Sequence, residues 1–250
     1  MIKWLEDAVF YEVYPQSFRD SNGDGIGDIP GITEKLEYIQ ELGCNALWIN
    51  PCFTSPFYDA GYDVEDYYSV APRYGTNEDL KKLFEAAHQR GMHVLLDLVP
   101  GHTAVTHPWF QESMKAEKNE YTDRYVWTDS LYKRMEDVKG IVSVLRGISP
   151  RPASCGVNCF STQPALNYGF ANITDAGWQQ PTDAPGPMAT REELKNIMRF
   201  WLTLGCDGFR VDMAGSLVKN DEDKKETIRL WQDVRAFLNH RRVHSPMLAS

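Results

Sequence analysis

His93-Val94-Leu95-Leu96-Asp97-Leu98-Val99 is a near-continuous apolar run closed by Pro100-Gly101. A strand this apolar fits a parallel sheet covered on both faces better than a hairpin, where apolar and polar residues alternate. Two segments of the same kind precede it. They are Val9-Phe10-Tyr11-Glu12-Val13-Tyr14 and Asn45-Ala46-Leu47-Trp48-Ile49-Asn50, the second ended by Pro51. Helical patterns lie between the strands. Residues 32–42 set Leu36, Ile39 and Leu42 on one face and stop at Gly43. Thr76-Asn77-Glu78-Asp79 reads as a capping box, opening a helix through Leu80, Leu83, Phe84 and Ala87 to Gly91. Strand and helix in alternation define an α/β class with a parallel sheet.

The alternation breaks at residues 102–189, which are rich in Pro, Gly, Ser and aromatics and show little helix after Lys118. That length predicts a small inserted domain rather than a plain loop. Regularity returns at Thr190-Arg191-Glu192-Glu193, read as a capping box for a helix to Leu204. Residues 205–212 form a fourth strand. A fourth helix over residues 223–240 turns Ile228, Trp231, Val234 and Leu238 inward, and a fifth strand begins at Met247. The expected fold is the N-terminal portion, about five strands, of a (β/α)8 TIM barrel. Residues 1–101 and 190–250 form the partial barrel, and residues 102–189 are the insertion after strand three. Such barrels carry reactive side chains at the C-terminal ends of their strands. Asp63, His102 and Asp212 fall there. Five strands leave two edges unpaired, so a longer protein is expected.

The net charge of −9, with Lys and Arg scattered, disfavours nucleic-acid and anionic-membrane partners. No apolar run reaches the ~18 residues of a transmembrane helix. Residues 1–7 lack the apolar core of a signal peptide. There are five cysteines. Cys44 and Cys206 sit in apolar strands and read as buried thiols. Cys155 and Cys159 could pair or hold metal, but no neighbouring Cys or His completes a zinc site. A reducing cytoplasm fits this pattern. Oligomeric state is not legible.

Three aspartates and an asparagine share one short loop. Asp20, Asn22, Asp24, the Ile26 carbonyl and Asp28 place oxygens at alternate positions, and Gly25 permits a sharp turn. A structural Ca2+ is the expected occupant, with Mg2+ as the alternative. The loop is not an EF-hand, because Gly31 stands at the twelfth position. The competing reading is an acidic, glycine-rich surface turn.

Six separated segments together resemble the α-amylase superfamily, glycoside hydrolase family 13. The first is Tyr14-Pro15-Gln16-Ser17-Phe18-Arg19-Asp20-Ser21-Asn22-Gly23-Asp24-Gly25-Ile26-Gly27-Asp28, similar to the oligo-1,6-glucosidase, α-glucosidase and trehalose-synthase branch. The others are Trp48-Ile49-Asn50-Pro51, Gly61-Tyr62-Asp63-Val64, Asp97-Leu98-Val99-Pro100-Gly101-His102, Gln163-Pro164-Ala165-Leu166-Asn167 and Gly208-Phe209-Arg210-Val211-Asp212. The resemblance implies a retaining enzyme for α-linked gluco-oligosaccharides. In it Asp212 is the nucleophile that forms a covalent glycosyl-enzyme. Arg210, two residues earlier on the same strand face, sets a fixed positive charge beside it. His102 donates to a sugar hydroxyl. Tyr62 stacks on the sugar ring, with core packing as its other reading. Asp63 holds hydroxyls of a terminal glucose, with a loop cap as its other reading. Asp97 lies deeper and supports the site. The general acid, a Glu, is expected just beyond Ser250.

The sequence departs from the family pattern at Gly101, where Asn is common, and at Ala165, where Asp is common. Both losses imply that a calcium between barrel and insertion is absent. Gly215-Ser216 replaces the basic-His pair near the leaving group. A glucosyl transferase or isomerase such as a trehalose synthase shares the first half-reaction and stays an alternative. So does a non-catalytic binding homologue or, if the polypeptide ends at Ser250, an inactive fragment.

Overall fold

The computed structural model describes residues 3–244; the strand expected from Met247 lies outside the described residues. The chain packs as two compact units. One joins residues up to Val99 with Phe200–Asp212, and the other joins Pro100–Arg199 with the residues from Met213 onward. The second unit is thus wider than the insertion read from composition.

The first unit runs β1 (Phe10–Val13), α1 (Pro15–Phe18), α2 (Ile29–Glu34), α3 (Leu36–Glu41), β2 (Ala46–Ile49), β3 (Phe53–Thr54), β4 (Asp66–Val70), α4 (Asn77–His88) and β5 (His93–Leu98). The second holds α5 (Pro108–Ser113), β6 (Ser143–Leu145), β7 (Cys155–Val157) and most of α6 (Pro185–Leu204). Then β8 (Gly208–Val211) belongs to the first unit and α7 (Lys225–His244) to the second.

Strands β1, β2, β5 and β8 form one parallel sheet in that order. This is the parallel layer expected from the apolar runs. Alternation along the strands divides its faces. Leu47, Ile49, Val94, Leu96 and Leu98 point one way and are fully buried. Each such side chain contributes about 1.5–3 kcal/mol relative to an exposed one. The other face carries Trp48, Asp97 and Arg210, where register sets Trp48 opposite Leu95 and Asp97 opposite Arg210. One face therefore holds the fold together and the other carries the polar chemistry.

The helix expected over residues 32–42 is two helices broken at Lys35. The first begins at Ile29 because the Asp28 carboxylate caps it, accepting from Gly31 N–H at 2.6 Å. Leu42 is the terminal cap of the second and is exposed rather than inward. Helix α4 starts as read, with Thr76 and Asp79 forming both halves of the capping box. Its Leu80, Leu83, Phe84 and Ala87 are buried.

Two readings near the end of the chain are corrected. Thr190 does not cap α6, which begins five residues earlier at Pro185; its hydroxyl donates to Gly186 O one turn back. Proline suits a helix's first turn, where its missing N–H is not needed. In α7 the buried stripe is Thr227, Leu230 and Val234, while Ile228 is 51% exposed. Asp221 fixes that rotation by accepting from the Thr227 N–H and hydroxyl, both at 2.7 Å.

The second unit has its own small core of Val126, Met135, Val138, Ala165 and Phe170. Strands β6 and β7 pair antiparallel. Cys155 is buried, which pushes its thiol well above the ordinary range, and Cys159 is exposed. Among the described residues no helix is long and apolar enough to cross a membrane.

Candidate active site

The register of β5 against β8 brings Asp97 beside Arg210, and Asp212 follows β8 directly. The Asp212 N–H extends the ladder by donating to Leu98 O at 2.8 Å. Arg210 Nη1 donates to Asp212 Oδ1 at 2.9 Å and to Asp97 Oδ1 at 3.1 Å. Asp97 Oδ2 accepts from Trp48 Nε1 at 3.0 Å and from the Tyr62 hydroxyl at 3.2 Å. The Arg210 guanidinium carbon stands 4.9 Å from the Trp48 ring centroid, within cation–π range.

These contacts separate two carboxylates. The Asp97 side chain is fully buried, and burial pushes its carboxyl up to about 6 against the opposing pull of Arg210. Its oxygens are taken by tryptophan, tyrosine and arginine, so it is a structural hub. The Asp212 side chain keeps 17% of its surface exposed, so it is the more accessible of the two. The Tyr62 phenol is raised to about 12 by burial and then by the Asp97 charge. It stays protonated and serves as a donor. Tyr14, Asn50 and Tyr62 also line a cavity of about 410 Å³ beside the C-terminal end of β1.

Asp63 takes the second of the roles read for it. It is fully buried and accepts from Ser55 Oγ at 2.9 Å, Tyr58 N–H at 2.8 Å and Asp59 N–H at 3.1 Å. These bonds hold a strained turn in which Phe57 (φ 61°) and Ala60 (φ 53°) are left-handed without being glycine. Gly61, at φ 101°, completes it; a Cβ there would stand 2.8 Å from Pro51 O. Asp63 as the holder of sugar hydroxyls is therefore corrected. Its oxygens face the backbone of the turn, and the partly exposed carboxylate of that turn is Asp59.

In the second unit, His102 is 2% exposed and its Nδ1 lies 3.1 Å from Asn158 Nδ2. A Cβ at Gly101 would stand 2.7 Å from that same amide nitrogen. The space above Gly101 is thus filled by a side chain from 57 residues downstream in the chain.

The acidic loop is organised by its own backbone. Asp20 accepts from the N–H groups of Asn22, Gly23 and Gly25; Asn22 accepts from Asp24 N–H; Asp24 accepts from Ile26 N–H. The Gly25 and Gly23 bonds hold the Asp20 carboxyl below its usual range. Asp28 also caps α2 and accepts from the Ser21 hydroxyl. Among the described residues, no three His, Cys, Asp or Glu side chains converge as a metal cluster. The donor set is nonetheless all oxygen, which suits a hard cation, and a carboxylate offers about four acceptor positions, more than the backbone bonds consume.

Asp97, Arg210 and Asp212, singled out from the sequence, are brought together by the structure; Trp48 and Asn158 had been given no role. Strand alternation places Trp48 on the face of Asp97 and Arg210, a signal readable in advance. Nothing in the sequence pointed from Asn158 to His102.

Parallel strands with intervening helices, and a carboxylate–guanidinium cluster where β5 and β8 end, define the N-terminal part of a TIM-barrel enzyme domain. The chain belongs to the α-amylase family: the family described as alpha amylase, catalytic domain, matches residues 12–245. The oligo-1,6-glucosidase of Parageobacillus thermoglucosidasius is 37% identical over 96% of this chain and 41% of its own length. A trehalose synthase/amylase of Mycolicibacterium smegmatis is 40% identical over 94% of this chain and 37% of its own. Among solved structures, isomaltulose synthase SmuA from Protaminobacter rubrum superposes with a TM-score of 0.72 at 35% identity, covering 87% of this chain and 36% of that one. The chain spans about 40% of the length of the curated relatives it matches.

Proposed function

We propose that this chain supplies the nucleophile side of a retaining enzyme acting on α-glucosidic bonds of short oligosaccharides. Asp212 attacks the anomeric carbon and forms a covalent glycosyl-enzyme. The observation that carries this reading is the Arg210–Asp212 pair at 2.9 Å at the end of a barrel strand. Arg210 engages Oδ1 and so orients the carboxylate for attack through its other oxygen. Asp97 is not the acid/base partner, because it is buried and fully engaged. That partner is a Glu beyond Ser250. Tyr62 meets the sugar from beside Asp97, and His102 donates to a hydroxyl.

Hydrolysis and transfer share this intermediate. Relatives named for glucosidase, trehalose synthase and isomaltulose synthase activity support a glucosyl-transferring or isomerising alternative. The acidic loop holds a structural Ca2+ through Asp20, Asn22, Asp24 and the Ile26 carbonyl, with Asp28 shared with the helix cap; Mg2+ is the alternative. The reducing cytoplasm remains the proposed compartment.

The test uses the full-length polypeptide with a fluorinated α-glucosyl fluoride that forms the intermediate but releases it slowly. Mass spectrometry is expected to find one added fluoro-sugar on the peptide containing Asp212, and none in Asp212→Asn. Labelling of another carboxylate overturns the assignment.

A further inference from the structure

The second unit pairs a buried histidine with an amide. Asn158 is 3% exposed and His102 is 2% exposed, and Asn158 Nδ2 lies 3.1 Å from His102 Nδ1. Two observations fix which way the amide faces. The same Asn158 Nδ2 lies 3.7 Å from Met213 Sδ, and a thioether sulfur only accepts. The atom that faces both sulfur and ring is therefore the nitrogen. In addition, Asn158 Oδ1 is buried with no hydrogen-bond partner. Turning the amide over would put two N–H donors in that position instead of one carbonyl, which is the worse loss. An amide N–H pointed at His102 Nδ1 makes that ring nitrogen an acceptor. In a neutral imidazole the proton then resides on Nε2.

We propose that Asn158 is a positioning residue that fixes His102 in the Nε2–H tautomer, so that the ring donates through Nε2 without being charged. The tautomer follows from the geometry alone; its consequence for substrate rests on the reading of His102 as a sugar-hydroxyl donor. Gly101 belongs to the same device. The absence of a Cβ there leaves room for the amide, which a Cβ would approach to 2.7 Å. The neighbour that would have to give way is the end of a side chain, so Gly101→Ala displaces the amide at little cost to the fold.

Asn158→Asp reverses the device. A carboxylate accepts from Nδ1–H, stabilises the opposite neutral tautomer and raises the histidine pKa. The imidazolium still carries Nε2–H, so donation survives at low pH and is lost as pH rises through the raised value. A purely structural role predicts a loss that does not depend on pH.

The experiment is nitrogen NMR of the full-length protein with ¹⁵N-labelled histidine rings, with His102 assigned by substitution. The expected result above the histidine pKa is Nδ1 in the unprotonated range and Nε2 in the protonated range. These exchange places in Asn158→Asp and become a mixture in Gly101→Ala. A protonated Nδ1 in the unsubstituted protein, or no change in either variant, overturns the proposal. Kinetics of the same proteins separate the second question. The KM of Asn158→Asp is expected to rise about tenfold above its histidine pKa and to recover below it. The expected tautomer with a KM that ignores pH supports the positioning by Asn158 and overturns His102 as a sugar donor.

Discussion

Asp97 and Asp212 are held by the same nitrogen of Arg210, at 3.1 and 2.9 Å, yet only Asp212 keeps access to solvent. The sheet register causes this division. Asp97 lies within β5 opposite Arg210, whereas Asp212 lies one residue past the end of β8. Depth along the strand decides which carboxylate is structural and which can meet a substrate.

The buried member has a pH signature. The Asp97 carboxyl is pushed up to about 6, above its unfolded value of about 3.9. Between those values the native state binds more protons than the unfolded chain. The contribution is complete below about pH 4 and is lost as pH rises through about 6. Asp97→Asn removes this dependence. The stability difference between the two proteins, from urea unfolding at several pH values, is expected to change by on the order of 2 kcal/mol across that window. A difference that stays flat from pH 4 to 7 contradicts the assignment.

The regular layers were legible in the sequence because apolar periodicity and the Thr76 capping box are local signals. The helix boundaries at Ile29 and Pro185 were not, because a cap by Asp28 and a proline in the first turn competed with apolar spacing. Asp97, Arg210 and Asp212 were singled out by motifs that resemble the family's, and strand alternation then places them on a common face. Asp63 was misread. Its motif position says nothing about which neighbour takes its oxygens, and Ser55, Tyr58 and Asp59 do. Asn158 was out of reach, since its contact with His102 spans 56 residues and no local periodicity links the two.

Lys219 gives a second pH signature of opposite sign. It is fully buried, its Nζ donates to Ser216 O at 2.7 Å, and burial followed by the charge of Lys224 pulls it down to about 7. Its unfolded value is about 10.4. Between these values the unfolded chain binds more protons, so this group makes stability rise with pH from about 7 to about 10. Lys219→Met is expected to be most favourable relative to the unsubstituted protein at and below neutral pH. Its advantage falls by on the order of 3 kcal/mol toward pH 10. Thermal melts of both proteins across that range check it, and parallel curves refute it.

The turn around Asp63 separates holding from binding. Asp63→Ala strips three acceptor contacts from a turn with two strained residues, so a loss of about 1–3 kcal/mol in unfolding free energy is expected. Asp59→Asn changes a partly exposed side chain on the same turn to one of nearly the same shape and is expected to cost less than Asp63→Ala. If the turn lines the sugar site, KM for an α-glucoside rises in Asp59→Asn with melting unchanged. Equal destabilisation by both substitutions removes the distinction.

The acidic loop makes the last case. Backbone N–H groups already turn the side-chain oxygens of Asp20, Asn22 and Asp24 inward along alternate residues, which reduces the ordering a cation must impose. Asp28 ties the same loop to the start of α2, so an ion bound there strengthens the helix entry as well. A ligand that binds only the folded state at 100 times its Kd stabilises by about 2.7 kcal/mol. Melting of the full-length protein is therefore expected to shift upward on adding Ca2+ after chelation. Mg2+ should give less, because it demands stricter octahedral geometry. Asp24→Asn is the informative variant, because it weakens the ion site and leaves the Asp28 cap intact. A calcium shift that survives Asp24→Asn unchanged, or no shift in the unsubstituted protein, returns the loop to a glycine-rich surface turn.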